Sequence, residues 1–161
     1  MSTRQAPAWA IGYAGGFVAA RTEAASLACS VSDEQLRQPT GNAGWTLRDE
    51  FLHIASSEKD FMVALGTLVE GRTPDLSVFA NIDERSARNL AAWRDRSMTE
   101  VADTLEQHAV ALNELLARLD EADGTRQPEG MPFAIGEMVR GYAMHDGYHL
   151  GQIRAGLRLD R

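Results

Sequence analysis

A chain of 161 residues with a formal charge of −7 and one cysteine is long enough to bury one full core and too short to expect two, so a single domain over 1–161 is expected. Its acidic residues are spread along the chain and mixed with arginine, the pattern of a solvated surface and not of a basic face that takes nucleic-acid phosphate. The lone Cys29 excludes an intrachain disulfide, and no run reaches the roughly 20 apolar residues of a membrane span, so a cytoplasmic protein without nucleic-acid or membrane partners is expected.

The stretch WAIGYAGGFVAA (9–20) follows Arg4 and has the length of a short signal-peptide core, but three glycines and a tyrosine interrupt it and it holds no leucine. It reads as the start of a first helix over Ala8 to Ser30, with Cys29 as a small apolar residue inside it. SDEQL (32–36) adds a short helical turn before Pro39, and PTGNAG (39–44) is a plain loop by its turn residues. Thr46 then stands as an N-cap, with Asp49 three residues on in a capping-box position and Glu50 favouring the first turn. That second helix runs to about Glu70, where Gly71 and Pro74 end it.

A linker extends to about Ala80, NIDERSARNLAAWRDR (81–96) forms a shorter helix, and SMTE (97–100) opens a third long helix with a capping box. This helix carries Val101, Leu105, His108, Leu112, Leu115 and Leu119 on one stripe and ends before Gly124. A loop through Pro128 and Pro132 leads into a last helix from about Ala134 to Leu159. Period-two runs rich in Val, Ile and Thr are absent, so the fold class is all-α. Four long amphipathic helices make a four-helix bundle the expected architecture.

The inward stripe of the last helix reads Ile135, Met138, Tyr142, His145, His149, Ile153 and Gly156. Two histidines four apart lie one above the other and can reach one ion. His53 and His108 are the candidates for a third ligand. His53 lies roughly 10 Å into its helix and His145 and His149 roughly 14 to 20 Å from the end of theirs, so antiparallel helices bring the three to similar depth. Glu50, Ser57 and Asp60 give His53 a polar flank that can border a wet pocket, whereas His108 sits among leucines and reads as a bonded core histidine. The residues alone leave two readings open: a metal site on His53, His145 and His149, or a hydrogen-bonded core pair with a separate surface histidine. Three nitrogen ligands leave a position open to water or substrate, as catalytic sites do.

GWTLRDEFLHIASSEKDFM (44–62), followed by HDGYHLGQI (145–153), resembles the DinB-like superfamily, of the DinB/YfiT type. The shared pattern is a Trp-Thr helix start with a histidine one to two turns in, then H-x-x-x-H with Gly-Gln-Ile on the last helix. The resemblance implies the four-helix bundle and a divalent transition metal (nickel, zinc or iron) on His53, His145 and His149. It also implies a homodimer acting on a small-molecule substrate. Relatives include transferases that use low-molecular-weight thiols of the bacillithiol or mycothiol type. The expected activity is therefore metal-dependent activation of such a thiol for transfer to an electrophile, the alternatives being a stress-associated metal-binding bundle without turnover and a metal-dependent hydrolase. No residue stands out as a general base. Asp49 and Asp60 are possible hydrogen-bonding carboxylates for His53, though capping and a solvated face explain them as well. Arg154 and Arg158 read as surface residues that an anionic cofactor can also meet. Gly141, Gly147 and Gly151 are read as permitting close helix approach.

Overall fold

Three helix starts follow from local side-chain chemistry. Ser32 with Gln35, Thr46 with Asp49 and Ser97 with Glu100 form reciprocal capping boxes that satisfy amide groups the first helical turn leaves open. They open α2 (Asp33–Leu36), α3 (Leu47–Val69) and α5 (Met98–Leu116), which take their places beside α1 (Ala8–Ser30), α4 (Ile82–Trp93) and α6 (Ile135–Leu157). The computed structural model describes residues 5–159, side chains at 78 and 79 excepted, so the ends of the expected 1–161 span lie outside the described residues. Among those residues there is no strand, only an isolated antiparallel bridge between Pro39 and Thr46, and the fold is all-α.

Helix α6 has no hydroxyl at its N-cap, Ala134, yet Glu137 accepts that residue's amide hydrogen at 2.8 Å. It ends two residues before the expected Leu159 because Arg158 takes a left-handed backbone at φ 59°. Helix α5 stops at Leu116, well short of Gly124, and a 3-10 turn over Ala122–Gly124 follows. The expected linker before α4 holds a further 3-10 turn, Leu76–Phe79.

Each of α1 and α3 packs against both α5 and α6, and α4 lies on α3. The buried apolar residues form two clusters. One holds Ala24, Leu47, Phe51, Leu105 and Ile153, and the other holds Phe17, Phe61, Leu112, Leu116 and Ile135. In chain order each long helix passes from one cluster to the other through a polar or charged residue: Arg21 on α1, Glu58 on α3, His108 on α5 and Asp146 on α6. Arg21 and Glu58 are fully buried and Asp146 is 2 % exposed. Arg21 pairs with Glu58 and, at 2.7 Å, with Asp146, while His108 Nδ1 lies 2.8 Å from Glu58. His108 is therefore bonded, as expected, but to a buried acid and at the edge of the core, and the charges it joins are ones the sequence did not reveal as buried.

Some expectations about packing change. On α5 Val101, Leu105 and Leu112 are buried as expected, and so is Leu119 beyond its end, but Ala109 and Leu116 are buried where His108 and Leu115 were expected, and these two are half-buried at the edge of the stripe. A Cβ on Gly141, Gly147 or Gly151 would meet nothing within 4 Å, so these glycines do not mark close helix contacts. The tight glycine is Gly136, where a Cβ would come 2.5 Å from the carbonyl oxygen of Gly124. Cys29 is helical as expected but exposed, not part of the apolar face.

Candidate metal centre

The first two turns of α3 carry Glu50 and His53, and the middle of α6 carries His145, Asp146 and His149. Because α3 and α6 pack together, the three imidazoles meet, with one ring nitrogen of each lying within 4.8 Å of the others. The Nε2 atoms of His53 and His145 are 3.0 Å apart. That separation is below twice a metal–imidazole bond of about 2.0 to 2.1 Å, so one ion can bridge them.

The opposite edges of two of the rings are held by acids. His149 Nδ1 lies 2.6 Å from Oε2 of the fully buried Glu50. The other oxygen of that carboxylate accepts from Thr40 Oγ1 at 2.8 Å and from Asn42 Nδ2 at 2.6 Å. His145 Nδ1 lies 3.4 Å from Asp146 Oδ1, and Asp146 is fixed from behind by Arg21. An acidic partner that accepts Nδ1–H fixes the tautomer and turns the Nε2 lone pair toward the shared space. His53 Nδ1 is buried with no hydrogen-bond partner.

Aromatic rings hold the imidazoles in place. Trp45 meets His53 edge-on at 4.8 Å and stacks on His149 at 5.8 Å. Tyr142 stacks on Phe61 at 3.9 Å and on His145 at 5.3 Å. Burial, reinforced by the neighbouring His149, His145 and Arg85, pushes the His53 imidazolium down from an ordinary 6.5 to about 3, so this ring stays neutral and keeps a lone pair for coordination. Burial, with Asp146 and Glu58 nearby, raises the Tyr142 phenol well above its ordinary value, so Tyr142 is a neutral wall.

The centre opens on a cavity of about 420 Å³ whose lining includes the three histidines, Trp45, Tyr142, Asn42 and, from α4, Arg85 and Ser86. Two imidazoles with backing acids, three ring nitrogens converging, and an open side together form a donor set suited to a divalent ion that keeps a position for a ligand. Soft or hard preference among nickel, zinc and iron is not encoded by imidazole alone.

His53, His145 and His149 thus come together as the sequence suggested, and His108 stays apart on Glu58. The carboxylates differ from expectation. Asp49 caps α3 through Thr46 and Asp60 pairs with Arg85 at 3.5 Å, so the capping and flanking roles hold for both and neither is bonded to His53. Glu50 and Asp146 bond to the histidines instead, to His149 and His145. Arg154 is taken by Glu23 on α1 through bonds of 2.7 and 2.5 Å, and neither it nor Arg158 lines the cavity. The 39–44 loop is more than a connection, since Thr40 and Asn42 hold Glu50, and Gly41 N–H donates to Gln152 of the Gly-Gln-Ile stretch at 2.9 Å. A Cβ at Gly41 would stand 2.5 Å from that Gln152 oxygen, so a side chain there would displace the end of Gln152.

The model of the DinB superfamily matches residues 17–153. The chain belongs to the DinB superfamily. No curated protein and no solved structure gives a significant match to it. Among the described residues no helix is long and apolar enough to cross a membrane.

Proposed function

We propose that His53, His145 and His149 hold one divalent transition-metal ion, with nickel, zinc and iron as the candidates. On this reading the protein is a metal-dependent transferase that activates a low-molecular-weight thiol of the bacillithiol or mycothiol type for transfer to a small electrophile. It does so as a single four-helix-bundle domain of the DinB/YfiT type in the cytoplasm. The observation that carries the proposal is the convergence of three imidazoles, two of them backed by buried acids, at the floor of an open cavity. A divalent ion held there would stabilise a bound thiol as its thiolate, so that the proton passes to solvent near neutral pH.

The chain's own residues supply orientation and exclusion. Glu50 and Asp146 accept the Nδ1 protons of His149 and His145, so both rings present Nε2 to the shared space. Trp45 and Tyr142 restrict water around the rings, and the open side of the cavity admits thiol and electrophile together. A homodimer belongs to the same reading, and the outer face of α1 offers Ile11 and Val18, exposed at 53 and 37 %, as apolar surface for it.

The test starts from protein purified without a histidine tag. Metal analysis is expected to give about one ion per chain, lost in His53→Ala, His145→Ala and His149→Ala. Metal-loaded protein is then expected to consume monobromobimane or a chlorinated aromatic in the presence of bacillithiol or mycothiol. Absence of stoichiometric metal overturns the site. Metal without turnover for any thiol, water included, leaves the non-catalytic metal-binding bundle; turnover with water alone assigns a hydrolase.

A further inference from the structure

The cavity has a second chemical feature that the histidines do not explain. Arg85, in the second turn of α4, is 8 % exposed and lines the same cavity as the three imidazoles. Among the described residues it is the only Lys or Arg that does so. Its charge reaches the centre, since it is one of the groups that disfavour the His53 imidazolium. Its ion pair with Asp60 is long, 3.5 Å from one guanidinium nitrogen to one carboxylate oxygen, and Asp60 is itself 31 % exposed. Ser86, equally buried at 8 %, lines the cavity beside it.

We infer that Arg85 anchors a carboxylate on the molecule that binds at the histidine centre, so that the substrate is a small carboxylic acid held between the guanidinium of α4 and the imidazoles of α3 and α6. A guanidinium presents a planar fork that matches a carboxylate, and a charge-assisted bond in a partly enclosed cavity is strong. At the α4 side of the cavity one guanidinium, with no other Lys or Arg among the described lining residues and the acidic Asp83 nearby, suits a single negative charge better than a phosphate dianion. The inference rests on the metal-centre reading for what the rest of the molecule binds, but the carboxylate contact belongs to the protein alone and is testable without metal. The carboxylate sits either on the thiol or on the electrophile.

The first arm uses metal-free, ¹⁵N-labelled protein. Propionate is expected to shift the Arg85 Nε–H resonance, and 1-propanol is not. The second arm uses zinc-loaded protein and calorimetry with 3-mercaptopropionate and 3-mercapto-1-propanol, which differ only in the acid group. The acid is expected to bind at least about tenfold tighter. Arg85→Gln is expected to abolish that preference and leave the alcohol's affinity unchanged, while Arg85→Lys keeps part of it. Asp60→Asn removes the competing carboxylate and is expected to raise the preference, which a merely structural ion pair would not do; this variant carries the test if Arg85→Gln does not fold. Propionate that binds protein already saturated with 3-mercapto-1-propanol assigns the carboxylate to the electrophile, and mutual exclusion assigns it to the thiol. The inference is overturned if propionate leaves the Arg85 resonance unmoved, or if the acid-to-alcohol ratio is the same in wild type and Arg85→Gln. Failure of zinc to bind overturns the metal centre and leaves the first arm standing.

Discussion

The neutral His53 makes a quantitative prediction about acid stability. In the unfolded chain this imidazole takes a proton as the pH falls through 6.5, whereas in the fold burial, with His149, His145 and Arg85 beside it, holds that step off until about 3. Above pH 6.5 both states are neutral at this position and the group contributes nothing to pH dependence. Below it the unfolded state binds the extra proton, so stability falls as pH falls, with a slope approaching about 1.4 kcal/mol per unit. At pH 5 the loss attributable to His53 is about 2 kcal/mol, a large share of the roughly 5 to 15 kcal/mol that holds a domain folded. Urea unfolding of chelator-treated protein at pH 7.5 and 5.0, followed by the fluorescence of its three tryptophans, measures this directly. His53→Gln, neutral at both pH values, is expected to lose about 2 kcal/mol less than wild type over that interval. Equal losses in the two proteins would refute the assignment of His53 as a ring kept neutral by burial.

Arg21→Met leaves Glu58 and Asp146 buried without their cation and is expected to cost about 3 to 5 kcal/mol in urea unfolding, with recovery when Glu58→Gln and Asp146→Asn are added. Glu50→Gln replaces the acceptor of the His149 Nδ1 proton and is expected to weaken zinc or nickel binding about 10- to 100-fold in chelator competition, without removing a ligand. Gly147→Ala fills open space in a helix and is expected to stabilise by up to about 1 kcal/mol. Gly136→Ala drives a methyl against the Gly124 carbonyl and is expected to cost about 1 to 3 kcal/mol; thermal melts distinguish the two.

What was legible in the sequence is what local rules control. Thr46 with Asp49 and Ser97 with Glu100 fix where α3 and α5 begin, and hydrophobic periodicity puts His145 and His149 in one register. The depth argument that brought His53 to the same level needs only helix rise and an antiparallel pairing. Arg21, Glu58 and Asp146 were illegible for a physical reason. A charge on an amphipathic helix reads as solvated unless partners on other helices are known; here Arg21 and Glu58 each find partners on two other helices and Asp146 finds Arg21 on α1, contacts of long sequence separation that no periodicity reports. Thr40 and Asn42 were hidden in the same way, because their value lies in folding back on Glu50 across the bridge at Pro39 and Thr46. Arg85 reads as one more surface charge until α4 is seen to wall the cavity.

The charge balance of the interior joins the polar layer to the centre. Three buried acids, Glu50, Glu58 and Asp146, face two buried guanidinium groups, Arg21 and Arg85, so three negative charges against two positive leave −1 on the carboxylates and guanidiniums of this set. Buried charge without compensation is costly, and a net excess cannot be relieved by hydrogen bonds alone. His53 is kept neutral and supplies none of the missing charge. A divalent cation on the three imidazoles would place positive charge next to Glu50 and Asp146, the two acids that touch His149 and His145. The Arg21 layer then does more than tie α1, α3 and α6 together. One guanidinium shared between Glu58 and Asp146 balances one of the two charges it touches, so the interior that also holds Glu50 keeps an excess that matches a cation in sign. On this accounting Glu58→Gln, at a residue bonded to Arg21 and His108 and to none of the three imidazoles, is expected to weaken zinc binding in chelator competition by changing the charge the ion must balance.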